Sequence, residues 1–164
     1  MPNDLTQLLV LVVDPDRAMS ALTRDVLKSI GIAKVDTVGD AERAFGELRA
    51  NAYDIVITER DMAPTDGIAL TKTIRTSGKS GNSHVAILMM TAMPTREMVT
   101  EARDAGVTEF LIKPFSMADL RARIIAILRH PRSFIEESDY FGPDRRRADR
   151  DYYGEDQRGD DPDR

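Results

Sequence analysis

The sequence predicts an α/β fold in which a five-stranded parallel sheet is doubly wound, with helices on both faces. Short apolar runs rich in Val, Ile and Leu alternate five times with stretches of helical periodicity, and the connections between them are short. This alternation is typical of parallel strands joined by helical crossovers. Four of the five apolar runs also end on polar residues, as expected where a parallel sheet forms a ligand site.

The apolar runs define the strands. The first, Leu8 to Val13, contains six consecutive apolar residues, which indicates a strand buried on both faces. The other runs are also rich in apolar residues and are bounded by polar residues or helical segments. The predicted strands cover residues 8–13, 35–38, 54–58, 85–90 and 109–112.

Helical spacing and capping residues define the helices. Asp40 and Asp66 precede two of them as N-caps, and Gly106 ends a third. Ser116 and Asp119 have the spacing of a capping box, which begins the last helix. The predicted helices cover residues 17–30, 41–50, 67–77, 96–105 and 117–129.

Composition narrows the class of protein. The 164 residues are 41% hydrophobic and contain no cysteine, so disulfides and thiolate metal sites are excluded. We expect a cytoplasmic protein without membrane or DNA binding, because the apolar runs are too short to span a bilayer and the net charge is −5. His84 and His130 lack the spacing of metal ligands, and we expect no metal at either.

Polar residues at four strand ends form a candidate pocket. Asp14, Glu59, Thr91 and Lys113 each lie at or just after the carboxyl end of a predicted strand. These ends meet at one edge of a parallel sheet, where ligands bind in folds of this kind. The alternative is that they are merely solvated strand ends.

Four short motifs resemble the receiver domain of bacterial response regulators, a CheY-like (flavodoxin-like) fold, over residues 7–130. They are Val12-Val13-Asp14, Asp66-Gly67, Met90-Thr91-Ala92 and Ile112-Lys113-Pro114-Phe115. The resemblance implies phosphorylation of an aspartate at the end of the third strand. It also implies that an acidic pair after the first strand holds Mg²⁺. It also implies that Thr91 and Lys113 contact the phosphoryl group, that Phe110 is the aromatic switch residue and that the Lys113–Pro114 bond is cis.

Two positions depart from that pattern. Glu59 stands where the phosphoacceptor aspartate belongs, and Pro15 replaces the second acid of the metal-binding pair. Proline offers no side-chain oxygen, whereas Mg²⁺ requires nearly ideal octahedral coordination by oxygen. We therefore expect a pseudo-receiver without catalysis, bound metal or phosphorylation. Phosphorylation through a displaced carboxylate, Asp16 or Asp61, is the alternative.

Residues 131–164 have a different composition from residues 1–130. They contain seven Arg, no Lys and eleven acidic residues, for a net charge of −4, together with five of the chain's nine aromatic residues. Apolar periodicity is absent, so this segment should not form a core of its own. We expect a receiver-like domain over residues 1–130 and a tail over residues 131–164 that is disordered without its ligand.

The tail contains a degenerate repeat of twelve residues. Residues 140–146 align with residues 152–158, and Asp149 aligns with Asp161. Each copy has two aromatic residues, a glycine, an acid and then Arg-x-x-Asp. Two similar halves suggest a ligand that also has two similar halves.

Arginine, aspartate and aromatic residues together favour a guanine ligand. Arg can donate two parallel hydrogen bonds to guanine O6 and N7, Asp can accept from its Watson–Crick edge, and aromatic rings and Arg planes stack on bases. Further arginines neutralise phosphates. The predicted binding residues are Tyr140, Phe141, Arg145, Arg146, Arg147, Asp149, Arg150, Tyr152, Tyr153, Arg158 and Asp161.

This arrangement resembles the Cle family of CheY-like cyclic di-GMP effectors, with its arginine-rich C-terminal segment. The resemblance implies a non-enzymatic adaptor that binds cyclic di-GMP and docks at the flagellar motor switch through its fourth helix, fifth strand and fifth helix. Recruitment to the motor or the cell pole would follow. The alternatives are a conventional single-domain response regulator and a constitutive docking protein with an inert, solubilising tail.

Overall fold

A computed structural model of the chain describes residues 4–78 and 82–145. After a short 3₁₀ turn at Leu5–Gln7, strands and helices alternate, and a two-stranded unit follows the last helix. The strands are β1 Leu9–Val13, β2 Lys34–Val38, β3 Ile55–Glu59, β4 Ala86–Thr91, β5 Glu109–Ile112, β6 Phe134–Glu137 and β7 Tyr140–Pro143. The helices are α1 Arg17–Ser29, α2 Ala41–Ala50, α3 Gly67–Thr76, α4 Arg96–Ala105 and α5 Met117–Arg129.

The first five strands form one parallel sheet in the order β2-β1-β3-β4-β5. This confirms the predicted doubly wound, five-stranded fold, and the strand and helix bounds agree with the predicted ones within about two residues. The register pairs Val13 with Thr58, Glu59 with Met90 and Thr91 with Ile112. The carboxyl ends of β1, β3, β4 and β5 therefore lie side by side.

Alternate side chains of the strands pack into two cores on opposite faces of the sheet. One core joins Leu11, Val56 and Ile87 to α2, α3 and α4. The other joins Val12, Ile57 and neighbouring strand residues to α1 and α5. The central strands are thus buried on both faces, which explains their continuous apolar sequences.

Side-chain caps begin the helices. The carboxylates of Asp40 and Asp66 accept hydrogen bonds from the first turns of α2 and α3, and Ser116 and Asp119 form the predicted capping box. Asp16 caps α1 by accepting from the backbone N–H groups of Ala18 and Met19, a role that the sequence analysis did not assign. Within the described residues, no helix is both long enough and apolar enough to cross a membrane.

The region after α5 differs from the sequence expectation. Residues 134–143 form an antiparallel hairpin of β6 and β7, whereas we expected disorder from residue 131 onward. The hairpin lacks a core of its own, in agreement with its composition. Instead, β7 packs against α3 and α4 of the domain.

Polar contacts and two glycines hold this hairpin on the domain. Arg132, just before β6, pairs with Glu109 of β5 at 3.3 Å. Gly106 has a φ of +107°, and a Cβ built on Gly142 would lie 2.6 Å from the Tyr140 hydroxyl and 3.2 Å from the Gly106 Cα. A side chain at residue 142 would therefore disturb both the hairpin and its contact with the domain.

Candidate functional site

The sheet brings the four predicted pocket residues to one edge. Asp14 follows β1, Glu59 ends β3, Thr91 ends β4 and Lys113 follows β5. Asp14, Glu59 and Thr91 are buried, although all three are polar. Buried polar groups require partners, so their contacts indicate what the pocket can do.

Lys113 neutralises Glu59 inside the pocket. The Lys113 Nζ forms an ion pair with Glu59 Oε2 and lies 4.0 Å from Asp14 Oδ2. The other oxygen of Glu59, Oε1, accepts hydrogen bonds from the backbone N–H groups of Arg60 at 3.0 Å and Asp61 at 3.2 Å. Both oxygens of the Glu59 carboxylate are thus engaged by the protein itself.

Asp14 is the less satisfied carboxylate of the pocket. It is 3% exposed, and its Oδ1 accepts a hydrogen bond of 2.8 Å from the backbone N–H of Asp16. Its Oδ2 has no hydrogen-bond partner among the described residues. Burial raises the pKa of Asp14 above its usual value, although the Asp16 N–H and the Lys113 ammonium act in the opposite direction.

The oxygen atoms of the pocket do not suit Mg²⁺. Among the buried carboxylate oxygens of the described pocket, Asp14 Oδ2 lacks a hydrogen bond, whereas Lys113 and two backbone N–H groups engage Glu59 and the residue after Asp14 is a proline. Asp16 caps α1, and Asp61 accepts a hydrogen bond of 2.7 Å from the Arg60 guanidinium. Mg²⁺ needs octahedral coordination by oxygen, and Pro15 removes one of the acids that would supply it.

Thr91 and Phe110 lie where the sequence analysis placed them. The Thr91 hydroxyl accepts a hydrogen bond of 3.3 Å from the Met93 backbone N–H beside the pocket. Phe110 is buried in the core that includes Met98 and Ala102 of α4. Its assignment as a switch residue stays a prediction. The Lys113–Pro114 peptide bond is cis, as expected.

Tyr140 supports the hairpin from within. It is 8% exposed, and its hydroxyl donates a hydrogen bond of 2.7 Å to the Pro143 carbonyl. The Cζ atom of Arg145 lies 4.3 Å from the centre of the tyrosine ring. The expected stacking of Tyr140 on a base stays a prediction; in the structure its ring is buried and packs against Arg145.

Arg145 connects the beginning of the arginine-rich segment to α4. Its Nη1 donates a hydrogen bond of 2.9 Å to Asp104 Oδ1, in the last turn of α4, and its Nη2 lies 3.6 Å from Glu137 Oε2. The hydrogen bond to Asp104 is the main cause of a raised pKa for Arg145. The guanidinium is therefore positioned by groups of both the domain and the hairpin.

Phe141 forms an aromatic cluster with His84 and Phe134. The His84 ring lies 4.5 Å from the ring of Phe134 and 5.0 Å from that of Phe141, measured between centroids. Phe141 and Phe134 are 5.6 Å apart. His84 thus packs against both aromatic rings of the hairpin.

Arg75 is a structural residue that the sequence analysis missed. It is 3% exposed, and its guanidinium donates to the carbonyls of Gly106, Ser83 and Val85. Its Cζ also lies 5.0 Å from the centre of the Phe134 ring. Burial lowers the pKa of Arg75 to about 10. The available signal was its position beside Ile74 on the buried side of α3, where an arginine is unusual.

The two candidate sites lie at opposite ends of the sheet. The pocket is at the carboxyl ends of the strands, whereas Arg75 and the hairpin contact Val85 and Gly106, which precede β4 and β5. Of the predicted nucleotide-binding residues, Tyr140, Phe141 and Arg145 are described. The others lie outside the described residues: Arg146, Arg147, Asp149, Arg150, Tyr152, Tyr153, Arg158 and Asp161.

Solved structures of similar fold include chemotaxis response regulator CheY4 of Vibrio cholerae, with a TM-score of 0.65 and 26% identity, covering 71% of this chain and 95% of that chain. Another is the receiver domain of sensor histidine kinase PA1611 from Pseudomonas aeruginosa PAO1, described with a magnesium ion coordinated in its active site cleft. Its TM-score is 0.63 and its identity 25%, and the match covers 73% of this chain and 94% of that chain.

Curated relatives agree with this likeness. Chemotaxis protein CheY-3 of Vibrio cholerae is 31% identical over 115 residues, which are 70% of this chain and 87% of that protein. The transcriptional regulatory protein RprY of Bacteroides fragilis is 30% identical over 126 residues, which are 77% of this chain and 51% of the regulator. Residues 10–125 match the family described as response regulator receiver domain. With the fold and the pocket, this match shows that the chain belongs to the response regulator receiver domain family.

Proposed function

We propose that this receiver domain is a non-enzymatic signalling adaptor. In this proposal its arginine-rich C-terminal segment binds cyclic di-GMP and thereby controls docking to a protein partner such as the flagellar motor switch. The observation that carries the proposal is the link between Arg145 and Asp104, which fixes the start of the arginine-rich segment on α4. A ligand bound by this segment would act directly on a helix of the expected docking face.

The sequence of the segment supports a guanine ligand. Arginine and aspartate occur together in both copies of the repeat, and lysine is absent. A segment that only attracted anions would not need aspartates in register with its arginines. Bidentate arginine contacts and carboxylate contacts to the Watson–Crick edge would instead select guanine over adenine.

The face formed by α4, β5 and α5 suits a protein partner. β5 is an edge strand, and Ile112 on β5 and Met117 at the start of α5 are exposed hydrophobic residues. A groove of about 470 Å³ lies between the end of β5 and α5, lined by Leu111, Ile112, Lys113, Pro114, Asp119, Ala122 and Arg123. Exposed apolar side chains beside a groove are typical of interaction sites. The chemotaxis proteins among the relatives support a partner in motility.

The pocket supports control by a ligand rather than by phosphorylation. A glutamate stands at the phosphoacceptor position, a proline replaces the second metal-binding acid, and Asp16 is engaged as the N-cap of α1. The receiver domain would therefore serve as a folded docking platform whose state depends on the C-terminal segment.

Isothermal titration of the full chain with cyclic di-GMP tests the proposal, with cyclic di-AMP and GTP as controls. We expect cyclic di-GMP to bind well and cyclic di-AMP to bind poorly. The reason is that adenine presents a donor at N6 where guanine presents an acceptor at O6, and each buried polar group left unpaired costs roughly 1–3 kcal/mol. Equal affinity for the two dinucleotides would indicate simple charge attraction. Absence of binding would favour a constitutive docking protein with an inert tail.

The second candidate is a conventional single-domain response regulator phosphorylated on a displaced carboxylate. Asp61 favours it, because its side chain is exposed and lies only two residues after Glu59. Phosphorylation with acetyl phosphate, described in the Discussion, separates this candidate from the adaptor.

A further inference from the structure

The contacts of Arg145 constrain how it can bind a nucleotide. One of its terminal nitrogens donates to Asp104, and the other lies near Glu137. The tyrosine ring of Tyr140 supports the guanidinium carbon at 4.3 Å, and the side chain is still 35% exposed. Two carboxylates thus offset its charge, while part of the planar group stays accessible.

A guanidinium held in this way is poorly suited to bind a phosphate. Phosphate recognition by arginine uses the paired N–H groups, and here a carboxylate lies beside each terminal nitrogen and would repel a phosphate. The remaining capacity is that of a flat, weakly hydrated surface, and arginine planes stack on bases as aromatic rings do. Tyr140 on one side would leave the exposed part of the guanidinium for a base.

We infer that Arg145 is a stacking surface for a guanine base, and that Asp104 and Tyr140 are the positioning residues that hold it in place. This inference rests on the proposed binding of cyclic di-GMP. It gives Tyr140 an indirect role in place of the direct stacking expected from the sequence. It also makes α4 part of the nucleotide site, so binding of the nucleotide and the position of α4 are linked reciprocally.

The test uses calorimetric titration of the full chain with cyclic di-GMP. Arg145→Lys keeps the charge and removes the planar group, and we expect the Kd to rise about tenfold. Asp104→Ala frees the arginine, and we expect the Kd to rise roughly two- to tenfold, because an unrestrained side chain must be ordered on binding. Asp104→Asn keeps a hydrogen-bond acceptor, and its Kd should lie between those of Asp104→Ala and the wild type.

Glu101→Ala is the matched control. It removes the same charge from an exposed position about one turn earlier on α4, and we expect the affinity to stay unchanged or to increase slightly. Thermal unfolding of each variant shows whether the fold is retained. If Asp104→Ala does not fold, Asp104→Asn and Arg145→Lys decide the outcome.

Several results would overturn the inference. Equal affinity of Arg145→Lys and the wild type would show that charge alone matters. Tighter binding by Asp104→Ala would show that Asp104 competes with the ligand for Arg145 instead of positioning it. If the wild-type chain itself does not bind cyclic di-GMP, the proposed function fails and this inference fails with it. If the wild type binds cyclic di-GMP but the Kd values of the variants do not change as expected, the stacking role fails and the proposed function stands.

Discussion

Lys113 and Glu59 form an ion pair across the pocket, between the residue after β5 and the last residue of β3. In a receiver domain this position calls for an aspartate that accepts a phosphoryl group. Here the position holds a glutamate, and Lys113 offsets its charge inside the fold.

The first prediction concerns phosphorylation. Acetyl phosphate with Mg²⁺ should not label the wild-type chain, because Glu59 replaces the phosphoacceptor aspartate with a side chain one methylene longer and Pro15 provides no oxygen ligand. The double variant Pro15→Asp, Glu59→Asp restores both missing carboxylates and should become labelled. Radiolabelled acetyl phosphate and gel autoradiography provide the measurement.

Controls for this experiment test the displaced carboxylates. Asp16→Ala and Asp61→Ala in the wild-type background should remain unlabelled, like the wild type itself. An alkali-labile, acid-stable label on the wild type that either variant abolished would contradict the prediction and favour the conventional response regulator.

The second prediction concerns pH. Because burial raises the folded-state pKa of Asp14 above the ordinary 3.8, the folded protein binds this proton more tightly than the unfolded chain does. The contribution of Asp14 to stability is therefore most favourable below the unfolded pKa and is lost as the pH rises through the folded pKa. We expect Asp14→Asn to increase the free energy of unfolding at pH 7 by roughly 1 kcal/mol, since the variant avoids a buried and unsatisfied carboxylate oxygen.

Urea unfolding of Asp14→Asn and the wild type between pH 3 and pH 7 measures this effect. The advantage of the variant should shrink as the pH falls towards the unfolded pKa of Asp14. Parallel stability curves over the whole range would show that the Asp14 carboxylate is not destabilised by its burial.

The third prediction concerns Arg75. Arg75→Lys should lower the free energy of unfolding by about 2–4 kcal/mol, because one ammonium group cannot satisfy the carbonyls of Gly106, Ser83 and Val85 together. Arg49→Lys, at an exposed position on α2, is the control and should stay within about 0.5 kcal/mol of the wild type. Urea unfolding provides the comparison, and equal stability of the two variants would contradict the assigned role of Arg75.

The fourth prediction concerns the arginine-rich segment. Asp149→Ala should weaken the binding of cyclic di-GMP even though it removes a negative charge near an anionic ligand, because the carboxylate would accept from the guanine edge. Arg146→Ala should weaken binding more than Arg158→Ala, because the first copy of the repeat has three adjacent arginines where the second has one. Calorimetric titration decides both comparisons. A tighter complex with Asp149→Ala would identify the segment as a purely electrostatic binder.

The sequence by itself determined the main fold and the composition of the pocket. Continuous apolar strands, helical spacing and caps such as Asp40 and Asp66 are local signals, and they predicted correctly the order and type of the ten elements from β1 to α5. Parallel topology then required Asp14, Glu59, Thr91 and Lys113 to meet at one edge. The departures at Pro15 and Glu59 were visible in the sequence, because each substitution changes the side-chain atoms available to bind a metal or to accept a phosphoryl group.

Only the tertiary structure decided the conformation of residues 134–143, at the beginning of the segment after α5. Residues 134–143 cannot bury enough apolar surface among themselves, so no local pattern distinguished them from a disordered tail. Their hairpin packs against α3 and α4, Arg75 lies beneath Phe134, and Asp104 holds Arg145. These contacts join residues that are far apart in the chain, and they depend on side-chain positions that are set only when the domain has folded.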